Sequence, residues 1–187
     1  MAEATEELVK IFLEQNGYLV TTSKKVDAKT SKNSPRAEID IVAIHTNDKK
    51  DSKLPKRIAG EVKSFPIDAR GFEELDKILR MKHEYKSRED YQRYKWINNI
   101  QYSKQILGAL EKEYGYNDFK FVLFCGGINK KYEKDIKEFL KGRDIFVMTH
   151  SAVLDWLFKN RTNEYTDNQI LQLIRLIKNN TKEIEFV

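Results

Sequence analysis

The sequence predicts an α/β fold in which a central mixed β-sheet is flanked by helices, with a helical insertion after the third strand. A helical pattern comes first, two strands of alternating polarity follow, and an unbroken apolar run then leads into a succession of helix, strand and helix. The 187 residues, 40% of them hydrophobic, suffice for one core, so we expect a single domain over residues 1–187.

The first third of the chain predicts one helix and three strands. Apolar side chains recur on one side of residues 3–15, and a glycine follows as a helix stop. Residues 18–23 are rich in β-formers and run into a polar loop over residues 24–35. Strands over residues 37–45 and 57–64, separated by a polar connection, should pair as an antiparallel hairpin.

The middle of the chain predicts the insertion and one buried strand. Phe65 and Pro66 should end the third strand, and helical spacing then dominates residues 71–114, where we expect two helices broken near residues 87–90. Residues 119–125 are an unbroken apolar and aromatic run, which is typical of a strand buried on both faces.

The end of the chain predicts a parallel crossover. A glycine pair should turn the chain into a helix over residues 129–140, followed by a strand over residues 145–148 and a helix over residues 152–158. A succession of strand, helix and strand joins parallel strands. The last amphipathic segment covers residues 168–178 and predicts a final helix.

Motifs exclude several classes of protein. Cys125 is the only cysteine, so no internal disulfide or cysteine zinc cluster can form, and we expect a buried structural thiol. His45, His83 and His150 lack the spacing of a histidine metal site. Because no GxxxxGK[ST] pattern follows the Gly126-Gly127 pair, which we read as a turn, we expect no nucleotide cofactor.

Charge and hydropathy restrict the choice of partners. Charged residues make up 34% of the chain, and it has neither a long apolar run nor a secretory signal, which predicts a soluble, cytoplasmic protein with no membrane partner. The 34 Lys and Arg residues exceed the 29 Asp and Glu residues, and the net charge of +5 mildly favours a polyanionic partner.

The first hairpin strand presents two acids at alternating positions. Glu38 and Asp40 alternate with apolar residues. A period of two sends both carboxylates to one face of the sheet and Ile39, Ile41 and Ala43 to the other.

The second hairpin strand adds the remaining groups. Glu61 and Lys63 share one face, with Ile58 and Val62 on the opposite one. If the two strands pair, three carboxylates and an ammonium group converge.

Such a cluster indicates a divalent cation site. Neighbouring strands lie about 4.8 Å apart, which lets Asp40 and Glu61 bind one Mg²⁺ at oxygen distances of about 2.1 Å, with the backbone carbonyl of Val62 as a further ligand. All-oxygen ligation favours Mg²⁺ or Mn²⁺ over zinc, and such an ion supports phosphodiester hydrolysis. Lys63 would either stabilise the attacking water as an ammonium or act as the general base, and the sequence leaves both roles open.

Asp40 followed by Glu61-Val62-Lys63 across a hairpin, behind a helix that bears glutamates, resembles the PD-(D/E)xK nuclease superfamily. The strings Glu38-Ile-Asp-Ile-Val-Ala43 and Glu61-Val-Lys-Ser64 are most similar to archaeal Holliday-junction resolvases and Mrr-type restriction nucleases. The resemblance covers about the first third of the chain and the order of elements after it. It implies a restriction endonuclease-like core and a catalytic centre of Asp40, Glu61 and Lys63.

The resemblance also implies a glutamate on the first helix. Resolvase-like members carry it eleven residues before the glycine that ends the helix, and this spacing selects Glu6 before Gly17. The adjacent Glu7 is the rival, because both flank the apolar side of the helix. The family often has Pro or Gly before its first acid, whereas Ala37-Glu38-Ile39 precedes Asp40 here, which leaves Glu38 as an additional acid of undefined role.

Basic residues on either side of the acidic strands predict a DNA surface. They lie in the polar loop and in the helical insertion, and a serine follows the lysine of the motif. The residues predicted to contact DNA are Lys24, Lys25, Lys32, Arg36, Ser64, Arg80, Lys82 and Arg88. The alternatives are a solvated loop and a serine that merely ends a strand, and we interpret the aromatic residues of the insertion, Trp96 among them, mainly as packing.

The predicted function is that of a Mg²⁺-dependent DNA endonuclease of the restriction or defence type, because the helical insertion exceeds what a minimal resolvase needs. A Holliday-junction or other structure-specific nuclease is the alternative within the same chemistry. A DNA-binding module without turnover is the alternative from another class, and RNA stays open as a substrate. Cutting two strands requires two related active sites, so we expect a homodimer.

Overall fold

The computed structural model describes six stretches of the chain, and the account below concerns these residues: 2–28, 36–47, 54–72, 74–75, 94–160 and 168–180. Four of the residues predicted to contact DNA lie outside them: Lys32, Arg80, Lys82 and Arg88. The predicted helix break at residues 87–90 lies outside them as well.

The described residues form an α/β structure around one five-stranded sheet. Its strands, which lie in the order β1-β2-β3-β4-β5, are β1 (Tyr18–Val26), β2 (Ala37–His45), β3 (Arg57–Ile67), β4 (Phe119–Ile128) and β5 (Phe146–Thr149). The helices are α1 (Ala2–Gln15), α2 (Lys95–Asn98), α3 (Ile100–Tyr114), α4 (Glu133–Gly142), α5 (His150–Asn160) and α6 (Gln169–Asn180). Short 3₁₀ turns occur at Ala69–Gly71 and Lys130–Tyr132.

The sheet is mixed, as the sequence predicts. β1 pairs with β2, and β2 with β3, in antiparallel fashion, which confirms the predicted hairpin. β3 pairs with β4, and β4 with β5, in parallel fashion, so the strand, helix, strand succession at the end of the chain is a parallel crossover. The carboxyl ends of β3, β4 and β5 therefore lie along one edge of the sheet.

Helices cover both faces of the sheet, and β4 is buried between them. Phe119, Phe121 and Leu123 pack into one core cluster with side chains of α2, α3 and α4. Val122 and Phe124 pack into a second cluster with side chains of α1, α5 and α6. The unbroken apolar run thus forms a strand buried on both faces, as predicted, because it has a helical layer on each side.

The first helix and the single cysteine also agree with the predictions. α1 places Val9, Phe12 and Leu13 in the second cluster, and the chain leaves the helix through Gly17, whose φ of 81° suits a residue without a side chain. Cys125 is a free, buried thiol. Among the described residues, no helix is both long and apolar enough to cross a membrane.

Two strands are longer than predicted. β1 continues to Val26, so Lys24 and Lys25 lie in a strand and not in the predicted loop. β3 continues through Phe65 and Pro66, which were predicted to end it, with a register shift between Lys63 and Pro66. Proline is tolerated there because the β2 ladder covers only the first four residues of β3, so the missing amide of Pro66 breaks no bond with β2.

The glycine pair predicted as a turn lies inside β4. A Cβ atom on Gly126 would stand 2.6 Å from the carbonyl oxygen of Ser64 and 2.9 Å from the carbonyl carbon of Phe65. The backbones of β3 and β4 approach this closely where the β3 register shifts, so Gly126 is needed for close packing and not for a turn.

The described part of the helical insertion contains a helix break that was not predicted. Asn99 separates α2 from α3, and its side chain caps α3 by accepting a hydrogen bond from the Tyr102 amide at 3.0 Å. The break changes the helical phase, so Trp96 is buried as predicted, whereas Ile100 is 52% exposed and not part of the core.

We expect Gly126→Ala to lower the free energy of unfolding by about 1–3 kcal/mol, because the added methyl group meets backbone atoms that cannot move away independently. Gly108→Ala in α3 is the matched control, since its Cβ would have no neighbour within 4 Å. In the helix interior that methyl group should raise the free energy of unfolding by about 0.5–1 kcal/mol. Urea denaturation measures both, and effects of the same sign would contradict the close-packing explanation.

Candidate active site

The two acidic strands part at the predicted acids. The β2–β3 ladder runs from Ile44 and Arg57 to Ile41 and Gly60. Just beyond the end of this ladder, the Val62 amide donates a hydrogen bond to Asp40 Oδ2, at 2.8 Å. The Asp40 carboxylate thus accepts the hydrogen bond in place of a backbone carbonyl of the ladder. This hydrogen bond fixes Asp40 between the strands.

The predicted alternation of β2 is wrong for its apolar residues. Ile39 packs into the first core cluster, whereas Ile41 and Ala43 pack into the second. Val42 packs into the first cluster again, so β2 is buried on both faces beyond Asp40, and the alternation of its side chains changes phase at Asp40. Ser23, which stands across from Asp40 in the β1 register, has a left-handed φ of 51°, so β1 turns with β2 at this point.

Glu61 and Lys63, which were predicted to share one face of β3, form an ion pair. Lys63 Nζ donates a hydrogen bond to Glu61 Oε1, and the two side chains are only 19% and 16% exposed. Such a pair is weakly screened by solvent, unlike an ion pair on the surface.

Burial and neighbouring charge govern the protonation of both acids. Burial raises the pKa of Glu61 to about 7, with Asp40 and Glu6 adding to the rise and Lys63 opposing it. Burial also raises the pKa of Asp40, against the Val62 hydrogen bond and the charge of Lys63. Two partly buried acids with raised pKa values beside a lysine are typical of a functional site.

The structure distinguishes between the two helix glutamates. Glu6 lies close enough for its charge to raise the pKa of Glu61. Glu7 instead forms an ion pair with Lys10 at 3.6 Å. The choice of Glu6 from its spacing to Gly17 thus agrees with its position near Glu61.

A cavity of about 170 Å³ adjoins Glu61, between the sheet and the helices α2 and α3. Its aromatic lining was not predicted, since Trp96 and Tyr102 were read mainly as packing. The polar and aromatic residues that line it are Glu38, Glu61, Lys95, Trp96, Tyr102 and Phe121. Burial and then the charge of Glu61 raise the pKa of Tyr102, which supports the proximity of these two side chains.

The donor set fits a hard divalent cation only in part. Asp40 and Glu61 supply oxygen ligands, the kind that Mg²⁺ and Mn²⁺ prefer. Within the described ranges, however, no three Asp, Glu, His or Cys side chains stand close enough together to hold a metal ion. The predicted convergence of three carboxylates is thus reduced to the pair Asp40 and Glu61, with Glu6 and Glu38 nearby.

The described residues of the predicted DNA surface differ in their surroundings. Lys24 is ion-paired with Glu113 of α3, and its ammonium lies 5.7 Å from the centre of the Tyr114 ring. The Arg36 guanidinium lies 3.9 Å from Asp27. Lys25 and Ser64 are exposed. Because Lys24 and Lys25 lie in β1, the basic loop is shorter than the sequence predicts.

Comparisons with protein-family models, with curated proteins and with solved structures gave no match for this chain. Its function must therefore be inferred from the side chains where β2 and β3 part. These offer buried acids, a paired lysine and an aromatic cavity in one place.

We expect Glu61→Gln to change how stability depends on pH in the absence of divalent metal. A folded pKa of about 7, against 4.5 for the free side chain, means that stability is full below pH 4.5 and falls as the pH rises through 7. The shift corresponds to about 3 kcal/mol. The free energy of unfolding of Glu61→Gln, relative to the wild type, should therefore rise by that order between pH 4.5 and pH 8.

Chemical denaturation at the two pH values, in a metal chelator, measures this difference. Glu138→Gln is the matched control, since Glu138 is exposed on α4 and the variant should follow the wild type. A Glu61→Gln curve parallel to the wild type would contradict the raised pKa.

Proposed function

We propose that this chain is a metal-dependent DNA endonuclease with a restriction endonuclease-like core and a catalytic centre of Asp40, Glu61 and Lys63. The observation that carries the proposal is the junction where β2 and β3 part, with Asp40 bonded to the Val62 amide and Lys63 paired with Glu61. A merely structural cross-strand pair does not explain why two acids with raised pKa values are kept there.

Asp40 and Glu61 would hold the metal, with the carbonyl of Val62 as a further oxygen and Glu6 reaching it directly or through water. Bound Mg²⁺ or Mn²⁺ supplies a water of lowered pKa and neutralises charge on the phosphate. Because the Val62 amide donates to Asp40 Oδ2, it restrains the carboxylate from turning and would leave Oδ1 for the metal.

Hydrolysis requires a water to attack phosphorus, form a new P–O bond and expel the oxygen of the neighbouring sugar. The proton of the water goes to a base and the leaving oxygen takes up a proton from solvent. Lys63 stands beside Glu61 and would orient the water as an ammonium, or accept its proton as a neutral amine. The charge of Lys63 and its hydrogen bond to Glu61 favour the charged form of Glu61.

A restriction or defence role is the first choice, with a junction-resolving or other structure-specific nuclease second. Either would act on DNA as a homodimer, since a duplex offers two strands to cut. The alternative from another class is a DNA-binding module on the same fold, for which the two partly buried acids would have no use.

We expect Asp40→Ala and Lys63→Ala each to reduce cleavage of supercoiled plasmid, or of a synthetic four-way junction, by about 100-fold or more in Mg²⁺ or Mn²⁺. Asp155→Ala on α5 and Lys134→Ala on α4 are matched controls, because both side chains are exposed on helices. Cleavage of plasmid favours the restriction type, whereas cleavage of the junction alone favours a resolvase. Full activity in both site variants would contradict the proposed mechanism. If the wild type binds DNA without any cleavage, the protein is a DNA-binding module.

We expect Mn²⁺ to bind the wild type and to raise its free energy of unfolding by about 2.7 kcal/mol at a hundred times its Kd. Asp40→Ala should lose this stabilisation because it removes one of the two carboxylates at the junction of the strands. Isothermal titration and denaturation with and without Mn²⁺ measure the effect, with Asp155→Ala as control. Equal stabilisation of Asp40→Ala would place the metal elsewhere.

A further inference from the structure

The cavity beside Glu61 has the size of one aromatic ring. Its volume is about 170 Å³. An apolar cavity of about 150 Å³ admits benzene, so a single six-membered ring with its substituents fits, whereas the two fused rings of a purine need more space.

The walls of the cavity offer flat aromatic surfaces. Trp96 of α2 stacks on Phe121 of β4, with ring centres 4.5 Å apart and planes at 27°. Tyr102 of α3 faces the same space, and the Lys95 ammonium lies 5.1 Å from the centre of its ring. Proteins bind unpaired bases by stacking them on such side chains.

The polar groups of the cavity distinguish between pyrimidines. Glu38 presents an exposed carboxylate, which accepts hydrogen bonds, whereas Oε1 of Glu61 already accepts one from Lys63. Cytosine carries an amino group at position 4, whereas thymine carries a carbonyl oxygen there, which a carboxylate repels. The cavity therefore suits cytosine better than thymine.

We propose that this cavity receives one unpaired pyrimidine base of the DNA substrate, with cytosine preferred over thymine. The inference rests on the proposed function, since Glu61 belongs both to the cavity and to the candidate catalytic centre. The nucleotide whose base enters the cavity is then the neighbour of the phosphate to be cut. A base within a duplex is stacked and paired, so the substrate class is DNA with an unpaired or extruded pyrimidine at the cleavage site.

Tryptophan fluorescence tests the cavity without requiring cleavage. The chain has two tryptophans, and in a Trp156→Phe background excited at about 295 nm, where tyrosine barely absorbs, the emission comes from Trp96. The probes are dCMP, dTMP, dAMP and dGMP, each titrated into the protein. We expect saturable quenching by dCMP at a concentration about 10-fold below that of dTMP, and no saturation with the purine nucleotides.

Glu38→Gln tests the source of the preference. Glu38 is exposed on β2, so the variant should fold, and its amide offers a donor that suits the oxygen of thymine. The ratio between dCMP and dTMP should fall to about 1, whereas the control Glu138→Gln on α4 should keep the wild-type ratio.

The outcomes separate the two proposals. Equal quenching by purines and pyrimidines, no quenching at all, or an unchanged ratio in Glu38→Gln overturns the cavity inference, even if the wild type cuts DNA. Selective dCMP binding with no cleavage of plasmid or junction upholds the pyrimidine cavity and overturns the nuclease.

Discussion

One hydrogen bond holds the candidate site in its arrangement, that from the Val62 amide to the carboxylate of Asp40. On one side of it β2 and β3 are tied by a backbone ladder, and on the other side they part. A buried amide without an acceptor is costly, so the carboxylate stabilises the point at which the ladder ends. Glu61 and Lys63 stand on either side of Val62, and their positions follow from this bond.

The same junction works against the stability of the fold. Burial raises the pKa of Glu61 to about 7, so its charged form is disfavoured where the ladder has ended. The Lys63 ammonium offsets part of this effect, and the acidic neighbours Asp40 and Glu6 add to it. A fold selected for stability alone would place an apolar residue at this position. A bound cation would instead favour the charged form of Glu61.

Local patterns predicted the parts of the structure that local forces determine. The bounds of β2 and the burial of β4 follow from the residues of each strand. The errors come from contacts between distant residues. Gly126 was read as a turn because its close approach to Ser64 cannot be seen in the sequence. The aromatic cavity joins residues from β2, β3, α2, α3 and β4. The only local feature of the sequence that could have indicated it is the helix cap Asn99, which lies between Trp96 and Tyr102.

The packing of β2 into both core clusters has a consequence for cooperativity. Ala37, Ile39 and Val42 belong to the layer of α2, α3 and α4, and Ile41 and Ala43 to the layer of α1, α5 and α6. Melting either layer would expose one face of this strand, so the layers are expected to unfold together and not as separate units. The amide protons of residues 41–44, which pair with both β1 and β3, should exchange with solvent only as fast as the whole molecule opens.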